Sequence, residues 1–452
     1  MKRALVLMRR CRRTALLAVL AGAAGLAQAG VAIEHWRLAN GAQVYLARTP
    51  ALPIVDVQID VDAGSRRDPA AQSGLAGATA GMAEKGVRAS GSEPALDENQ
   101  LGEAWADLGA EFDVGASADR MSFSLRSLAD PALLARAAAL ASREIGEPAF
   151  PDEVWRRERE RIAAGLREAD TRPASVAGRA FARDVYGGHL YGQEMTQATL
   201  AAIGIEDMRR FHAELVRPCR AKVSVVGAID RAGAERLATQ LLSRLPQQGC
   251  PALAAVPEVP PLAEPRLERI PFDAAQVHVW IGQPGYRRAD ADHFALTLGN
   301  YILGGGGFVS RLTEAVREKR GLAYSVYSGF SPGLHAGAFR IGFQTRPEQA
   351  EQAVAVAREV LTKFVAEGPT AAELQAAKDN LIGGFPLLLD SNRKLLGNVA
   401  NIAWNDLPLD YLDTWRERVN AVTVEDVRAA FQRKLQPQRM VTVIVGGTEK
   451  AR

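Results

Sequence analysis

The sequence predicts an α+β protein with two related domains, each a mainly antiparallel sheet covered by helices. Three observations lead to this prediction: a proline-rich stretch divides the chain, a weak repeat links its two sides, and strand patterns bracket helical ones without a regular strand–helix–strand alternation. The length of 452 residues exceeds what one ordinary hydrophobic core supports. The composition, 47% hydrophobic and 24% charged, is typical of a globular protein.

The proline-rich stretch spans residues 246–265 and contains six prolines. Proline fixes the backbone angle φ and lacks an N–H donor, so such a run fits neither a helix nor the interior of a sheet. We interpret it as a linker. The predicted organisation is a signal peptide over residues 1–29, an N-terminal domain over 30–245, this linker, and a C-terminal domain over 266–452.

The repeat is visible when the sequence is shifted against itself. A shift of 219 residues places Pro218 on Pro437 and Gly227 on Gly446, and in each copy a buried strand pattern lies between the proline and the glycine. A second similarity between the two halves relates Gly64 to Gly285, because each follows an alternating apolar strand and precedes paired arginines. Two similarities in the same order favour a duplicated domain.

Hydrophobic periodicity places the main elements. Apolar residues at helical spacing predict helices over residues 131–145, 152–168 and 349–367. Alternating apolar residues predict strands over residues 55–61 and 277–281, and a pair of strands within residues 110–128.

Residues 1–29 resemble a secretory signal, with six basic side chains, no acidic one, and an apolar stretch over residues 15–27. That stretch is shorter than the roughly 20 residues that span a bilayer, although an uncleaved anchor stays an alternative. We expect an exported, for example periplasmic, protein with no stable membrane span after cleavage. The rest of the chain carries 49 basic against 52 acidic side chains, which does not indicate a nucleic-acid-binding surface. Export would permit a disulfide between Cys219 and Cys250, whose pairing the sequence leaves open.

Residues 304–324 carry the most informative motif. Four consecutive glycines have no side chains to pack, so they mark a flexible loop or a close approach of another backbone. No Gly-Lys-Ser/Thr follows, which excludes a phosphate-binding P-loop. An amphipathic helix ending at Gly321 and a strand starting at Tyr324 are predicted next. Arg317 and Tyr324 can point to one spot, although their spacing alone favours an unrelated surface arginine and core-edge tyrosine.

This stretch resembles the C-terminal domain of the pitrilysin/insulinase family of zinc peptidases, which includes the mitochondrial processing peptidases. That family has a glycine-rich loop, then Ser-Arg-Leu, then a run similar to Arg-Glu-Lys-x-Gly-Leu-Ala-Tyr. Residues 64–69, 74–76, 108–110 and 189–192 resemble its first domain, so the likeness covers nearly the whole chain after residue 29. The resemblance implies a duplicated α+β fold, in agreement with the repeat.

The resemblance also implies roles for particular residues. Arg317 and Tyr324 match a catalytic pair that holds the substrate and polarises its scissile carbonyl. The glycine-rich loop would contribute to substrate binding, and an extended peptide would add by backbone pairing to an edge strand in the first domain. The residues assigned to substrate binding in this way are Gly304, Gly305, Gly306, Gly307, Glu111, Phe112, Asp113 and Val114.

One departure from the family removes the metal site. Catalytic members carry His-x-x-Glu-His on a helix, which puts two zinc-binding imidazoles one turn apart with the general base between them. Here the functional positions are Gly77, Ala80 and Gly81, none of which can bind a metal or move a proton. Glu158 or Glu160 occupies the region of the third ligand, but a charged helix face with local Arg–Glu pairs is the simpler interpretation. We therefore expect no metal cofactor in this chain.

The family contains heterodimers in which one chain supplies zinc and the other contributes to the substrate chamber. We predict that this chain is the non-zinc-binding subunit of such an exported peptidase. Its homologous partner would carry His-x-x-Glu-His and the zinc, and the substrate would be a peptide or unfolded polypeptide. The sequence does not identify the substrate or the partner, and it leaves open whether the chain alone forms a homodimer. The alternatives are a catalytically inactive peptide-binding or scaffold subunit, and a lone peptidase with an unorthodox metal site.

Overall fold

Each half of the chain is organised around one β-sheet. The computed structural model describes residues 31–447, and the predicted signal segment, residues 1–29, lies outside them. The strands of the N-terminal half are β1 (Ile33–Arg37), β2 (Gln43–Arg48), β3 (Ile54–Val61), β4 (Gly86–Val87), β5 (Leu96–Asp97), β6 (Glu111–Ala116), β7 (Met121–Leu128) and β8 (Lys222–Gly227). Apart from β4 and β5, which pair with each other, they form a sheet in the order β1-β2-β8-β3-β7-β6.

The C-terminal half repeats this arrangement with five strands. They are β9 (Arg266–Ile270), β10 (Val277–Tyr286), β11 (Val326–Phe330), β12 (Gly337–Thr345) and β13 (Val441–Val445). The order is β11-β12-β10-β13-β9, with one parallel pair, β13 with β9, that matches the parallel pair of β8 with β2. The strand predicted to begin at Tyr324 begins at Val326 instead.

Helices cover both sheets. In the N-terminal half they are α1 (Leu75–Ala83), α2 (Glu98–Leu108), α3 (Pro131–Gly146), α4 (Asp152–Asp170), α5 (Pro173–Tyr186), α6 (Gln197–Ala201), α7 (Ile205–Leu215) and α8 (Arg231–Leu241). In the C-terminal half they are α9 (His293–Asn300), α10 (Ala350–Glu367), α11 (Ala371–Gly384), α12 (Asn392–Trp404), α13 (Tyr411–Ala421) and α14 (Val424–Lys434). The three helices predicted from periodicity are present as α3, α4 and α10.

Strand register shows the duplication residue by residue. In the N-terminal sheet Val114 of β6 lies opposite Phe123 of β7. In the C-terminal sheet Ser328 of β11 lies opposite Ile341 of β12. These two rows of paired residues correspond, because one continues to Val223 of β8 and the other to Thr442 of β13, 219 residues later. Strands β6 and β11, each at a sheet edge, are therefore equivalent, with Val114 matching Ser328.

One helix of each half packs on the sheet of the other. Helix α5 lies on β10 and β13, where Phe181 contacts Trp280 with ring centroids 5.9 Å apart, and α12 lies on β8, β3 and β2. The two helices begin at residues 173 and 392, which are separated by the same 219 residues as the sequence repeat. The exchange therefore follows the repeat, and the two predicted domains interlock.

Hydrogen bonds close the junction between the halves. The Tyr191 hydroxyl donates to Asp119 at 2.6 Å and accepts from the backbone N–H of His335 at 3.1 Å. Asp119 also accepts from the backbone N–H of Leu334 at 3.0 Å. Because Asp119 and Tyr191 belong to the N-terminal half and residues 334–335 to the other, these groups fix one half against the other.

The linker runs along this junction. Residues 246–265 of the described chain form neither helix nor strand. The carbonyl of Pro257 accepts a hydrogen bond from His189 Nε2 at 2.8 Å, and a disulfide joins Cys250 to Cys219. Within residues 31–447, no helix combines the length and the apolar character that a bilayer crossing requires.

Candidate functional site

Two π-helical turns flank the glycine-rich loop. The first, Tyr301–Gly305, continues directly from α9, and the second, Thr313–Glu318, replaces most of the amphipathic helix that the sequence predicts. The π-helix is rare in proteins and is found frequently at functional sites. The turn ends before Gly321, whose φ of +60° reverses the chain toward β11.

Glycine is required at these four positions for two different structural reasons. A Cβ at Gly304 would lie 2.5 Å from Ser328 Oγ and 2.6 Å from its backbone nitrogen, so this glycine lets the loop pack on β11. Gly305 and Gly306 are similarly crowded by α9 and the first π-turn. Gly307 has a φ of +61°, which favours glycine. Substrate binding by these four residues stays a prediction.

The loop and the second π-turn bring three side chains together. The Arg317 guanidinium lies 5.0 Å from the ring centroid of Tyr324 and 4.6 Å from that of Phe308. Both rings are largely exposed, Tyr324 by 82% and Phe308 by 71%. Aromatic faces attract the planar cation and hold it in one orientation. Sequence reasoning missed Phe308, although its place directly after the glycines was a usable signal.

The degenerate zinc motif lies on α1. Gly77 and Gly81 are exposed and Ala80 is buried, as positions on two faces of a helix should be. Within the described chain, no atom outside the helix backbone and chain neighbours lies within 4 Å of a Cβ built at Gly77 or Gly81. Among residues 31–447, no three His, Cys, Asp or Glu side chains are grouped to hold a metal ion. These residues do not fit zinc.

Glu158 and Glu160 lie on α4. The Glu158 carboxylate pairs with Arg161 at 2.7 Å and Arg157 at 3.6 Å, and Glu160 is exposed. This arrangement matches a charged helix face with local ion pairs. The buried His212 is likewise structural, since its Nε2 bonds to the carbonyl of Ile145 and burial lowers its pKa to about 4.

Glu84, directly after α1, is a second residue that sequence reasoning missed. Its carboxylate accepts a hydrogen bond from the backbone N–H of Val114 at 3.1 Å, and burial followed by the charge of Asp113 raises its pKa to about 7. Glu144 is also buried and accepts from Trp105 Nε1 at 2.6 Å. Burial, with the charge of Glu84, raises the pKa of Glu144 to about 8.

The predicted peptide-binding strand is β6, which does lie at the edge of its sheet. Phe112 stacks on Trp105 with ring centroids 5.5 Å apart, and Glu111 pairs with Arg393 of α12 at 2.8 Å. The backbone N–H of Val114 is occupied by Glu84. Peptide binding at this edge stays a prediction.

Comparison with known proteins identifies the family. Residues 43–199 match the family model described as insulinase (peptidase family M16), and residues 202–381 match the one described as peptidase M16 inactive domain. The crystal structure of a peptidase M16 inactive domain from Pseudomonas fluorescens is 33% identical with a TM-score of 0.86, over 92% of this chain and 98% of that chain. The predicted fold class and the family resemblance are thereby confirmed.

Two further likenesses differ in extent. An uncharacterized zinc protease of Streptomyces coelicolor is 30% identical over 275 residues, which span 58% of this chain and 59% of that protein. The periplasmic protease PqqL of Escherichia coli has the same fold at 20% identity, with a TM-score of 0.77. The match covers 92% of this chain but 46% of PqqL, so this chain corresponds to about half of that one.

Proposed function

The chain belongs to peptidase family M16, and we propose that it is a member without its own metal centre that serves as the zinc-free subunit of a two-chain peptidase. The partner is a homologous chain with an intact His-x-x-Glu-His helix, which supplies the zinc and the general base. The substrate is a peptide or an unfolded polypeptide.

One observation carries this proposal: the chain lacks the metal-binding side chains of the family but keeps the arginine–tyrosine pair. Arg317 is held between Tyr324 and Phe308, with both rings exposed to a binding partner or substrate. The guanidinium is partly exposed, and its Nε also pairs with Glu318 at 3.3 Å. It lies beside a phenol, and both groups can donate hydrogen bonds to a peptide carbonyl. Such donors stabilise the negative charge that develops on the oxygen during hydrolysis.

Two further facts support the assembly and its compartment. The fold matches about half of PqqL, so two chains of this kind would together equal one chain of that length. The Cys219–Cys250 disulfide is typical of an oxidising compartment such as the periplasm, as is the signal-like start of the sequence. We therefore propose that the complex is exported.

The test is to purify the tagged chain from its own host and measure zinc content and peptide hydrolysis of the complex. We expect one zinc per two unlike chains. Arg317→Ala and Tyr324→Phe should each lower kcat/KM by roughly 10²–10³, the usual effect of losing one oxyanion donor. Lys319→Ala is the matched control, because this exposed cation on the same segment pairs only with Glu314 in the described chain.

Two outcomes would contradict the proposal. Unchanged turnover in both variants would show that Arg317 and Tyr324 have no role in peptide hydrolysis. A complex without zinc or hydrolysis would favour the alternative, a catalytically inactive peptide-binding or scaffold subunit.

A further inference from the structure

The open edge of β6 carries a side chain where a peptide backbone would otherwise bind. Strand β6 pairs only with β7 in the described chain, so its other edge has no strand partner, and helix α1 packs beside it. In an antiparallel pair, successive residues turn their backbone groups alternately toward and away from the neighbour. Since Val114 donates its N–H to Glu84 and not to β7, the backbone groups of Phe112, Val114 and Ala116 face the open edge.

Val114 is the middle of these three positions. A peptide that adds to β6 must place a carbonyl oxygen on the Val114 N–H, because the hydrogen bonds of an added strand follow every second residue. The Glu84 carboxylate already lies there, at 3.1 Å. The two acceptors cannot use the same donor together.

The C-terminal half contains a counterpart at the equivalent position. Ser328 of β11 matches Val114 in the strand register. Its carbonyl accepts from Asn300 Nδ2 at 3.2 Å, and its hydroxyl donates to Asn300 Oδ1 at 2.8 Å. Asn300 is the last residue of α9, as Glu84 directly follows α1. In both halves a side chain at the C-terminal end of a helix, α1 or α9, thus bonds to a backbone group in the middle of the edge strand.

We propose that Glu84 is an internal plug that closes the β6 edge, so that an extended peptide binds there only when the Glu84 carboxylate withdraws. The consequence is that this chain alone does not take peptide at β6, in contrast to the role that the family resemblance implies for this strand. The proposal concerns this chain by itself and does not depend on the proposed partner.

The charges around Glu84 favour movement of its carboxylate away from the β6 edge rather than tighter binding to it. The charge of Asp113 on β6 raises the pKa of Glu84, and the charge of Glu84 raises the pKa of Glu144 on α3. The adjacent Lys85 opposes them, but its Nζ bonds to Glu98 on α2 at 2.5 Å. The hydrogen bond to Val114 is therefore the contact that holds the carboxylate at the edge.

The test measures binding of a fluorescein-labelled peptide of twelve alternating Thr and Val residues to the purified chain by anisotropy. Glu84→Ala removes the plug, and Glu84→Asp keeps the charge but shortens the reach. Both should bind the peptide about tenfold more tightly than the wild type, since the hydrogen bond from Val114 to Glu84 no longer has to be broken. Glu84→Gln is the matched control, because its amide oxygen can still accept from Val114, and it should stay within about threefold of the wild type.

Two further measurements make the result specific. The same peptide with an N-methyl group on every residue has no backbone N–H to donate to an edge strand, so it should not show the gain. In the wild type, hydrogen exchange at the Val114 amide should be at least tenfold slower than at Phe112, and Glu84→Asp should remove the difference. Equal peptide affinity of the wild type, Glu84→Ala and Glu84→Asp would overturn the proposal, as would equal exchange at the two wild-type amides.

Discussion

The buried carboxyl of Glu144 makes stability depend on pH in a direction that can be worked out. Burial, with the charge of Glu84, raises its pKa from 4.5 to about 8. The folded chain therefore keeps a proton that the unfolded chain loses above pH 4.5. The stability contributed by this group is fully present below that pH and is lost as the pH rises toward about 8. Each pH unit inside this window costs about 1.4 kcal/mol, so raising the pH from about 5.5 to about 7.5 should cost about 2–3 kcal/mol.

Glu144→Gln isolates this effect. The amide oxygen can still accept from Trp105 Nε1, and the side chain no longer titrates. The variant should therefore gain about 2–3 kcal/mol over the wild type between about pH 5.5 and about pH 7.5. Urea unfolding followed by circular dichroism at three pH values in this range measures the difference. Glu103→Gln, an exposed residue on α2, is the control. If the difference between Glu144→Gln and the wild type is the same at every pH, the reasoning is refuted.

Three other predictions concern stability. Replacing Cys219 and Cys250 by serine opens a loop with a sequence separation of 31 and should lower the free energy of unfolding in urea by about 3–4 kcal/mol. Adding a reductant should lower the stability of the wild type to that of the variant. Tyr191→Phe removes a hydroxyl that bonds in two directions at the junction and should cost about 1–3 kcal/mol by calorimetry; no change would show that the junction does not depend on it. Gly77→Ala and Gly81→Ala should each raise the stability of α1 by about 0.5–1 kcal/mol, since the added Cβ contacts nothing, and a loss in thermal melts would contradict the open face.

The fold could be predicted where the evidence was local. Strand β7 alternates from end to end, and burial in the structure follows this alternation. Helix α3 is present as predicted, although residues 140–145 in its second half are all buried. The duplication left matching residues such as Pro218 and Pro437, which begin equivalent turns before β8 and β13. The exchange of α5 and α12 could not be predicted, because amphipathicity shows that a helix has a buried face but not which sheet covers it.

The candidate site, like the fold, could be predicted only where the evidence was local in sequence. Arg317 and Tyr324 stand in a recognisable run of sequence, and the structure places their side chains together. Glu84 gave no such signal, because a glutamate after a helix is ordinarily solvated and its partner Val114 lies 30 residues away. A contact of that kind depends on how α1 and β6 are packed, which neither segment shows alone.

The loss of the zinc site is a matter of side chains rather than of architecture. Helix α1 is continuous through Gly77 and Gly81, and these positions stand one turn apart on an exposed face, with empty space at both Cβ positions. The backbone therefore still offers the geometry in which two imidazoles could meet a metal ion. Packing did not force the change. By contrast, the Arg317 guanidinium still lies against the Tyr324 ring, on a segment formed by a π-turn and by glycines that leave no room for a Cβ. The role proposed for the arginine–tyrosine pair rests on this difference between the two motifs.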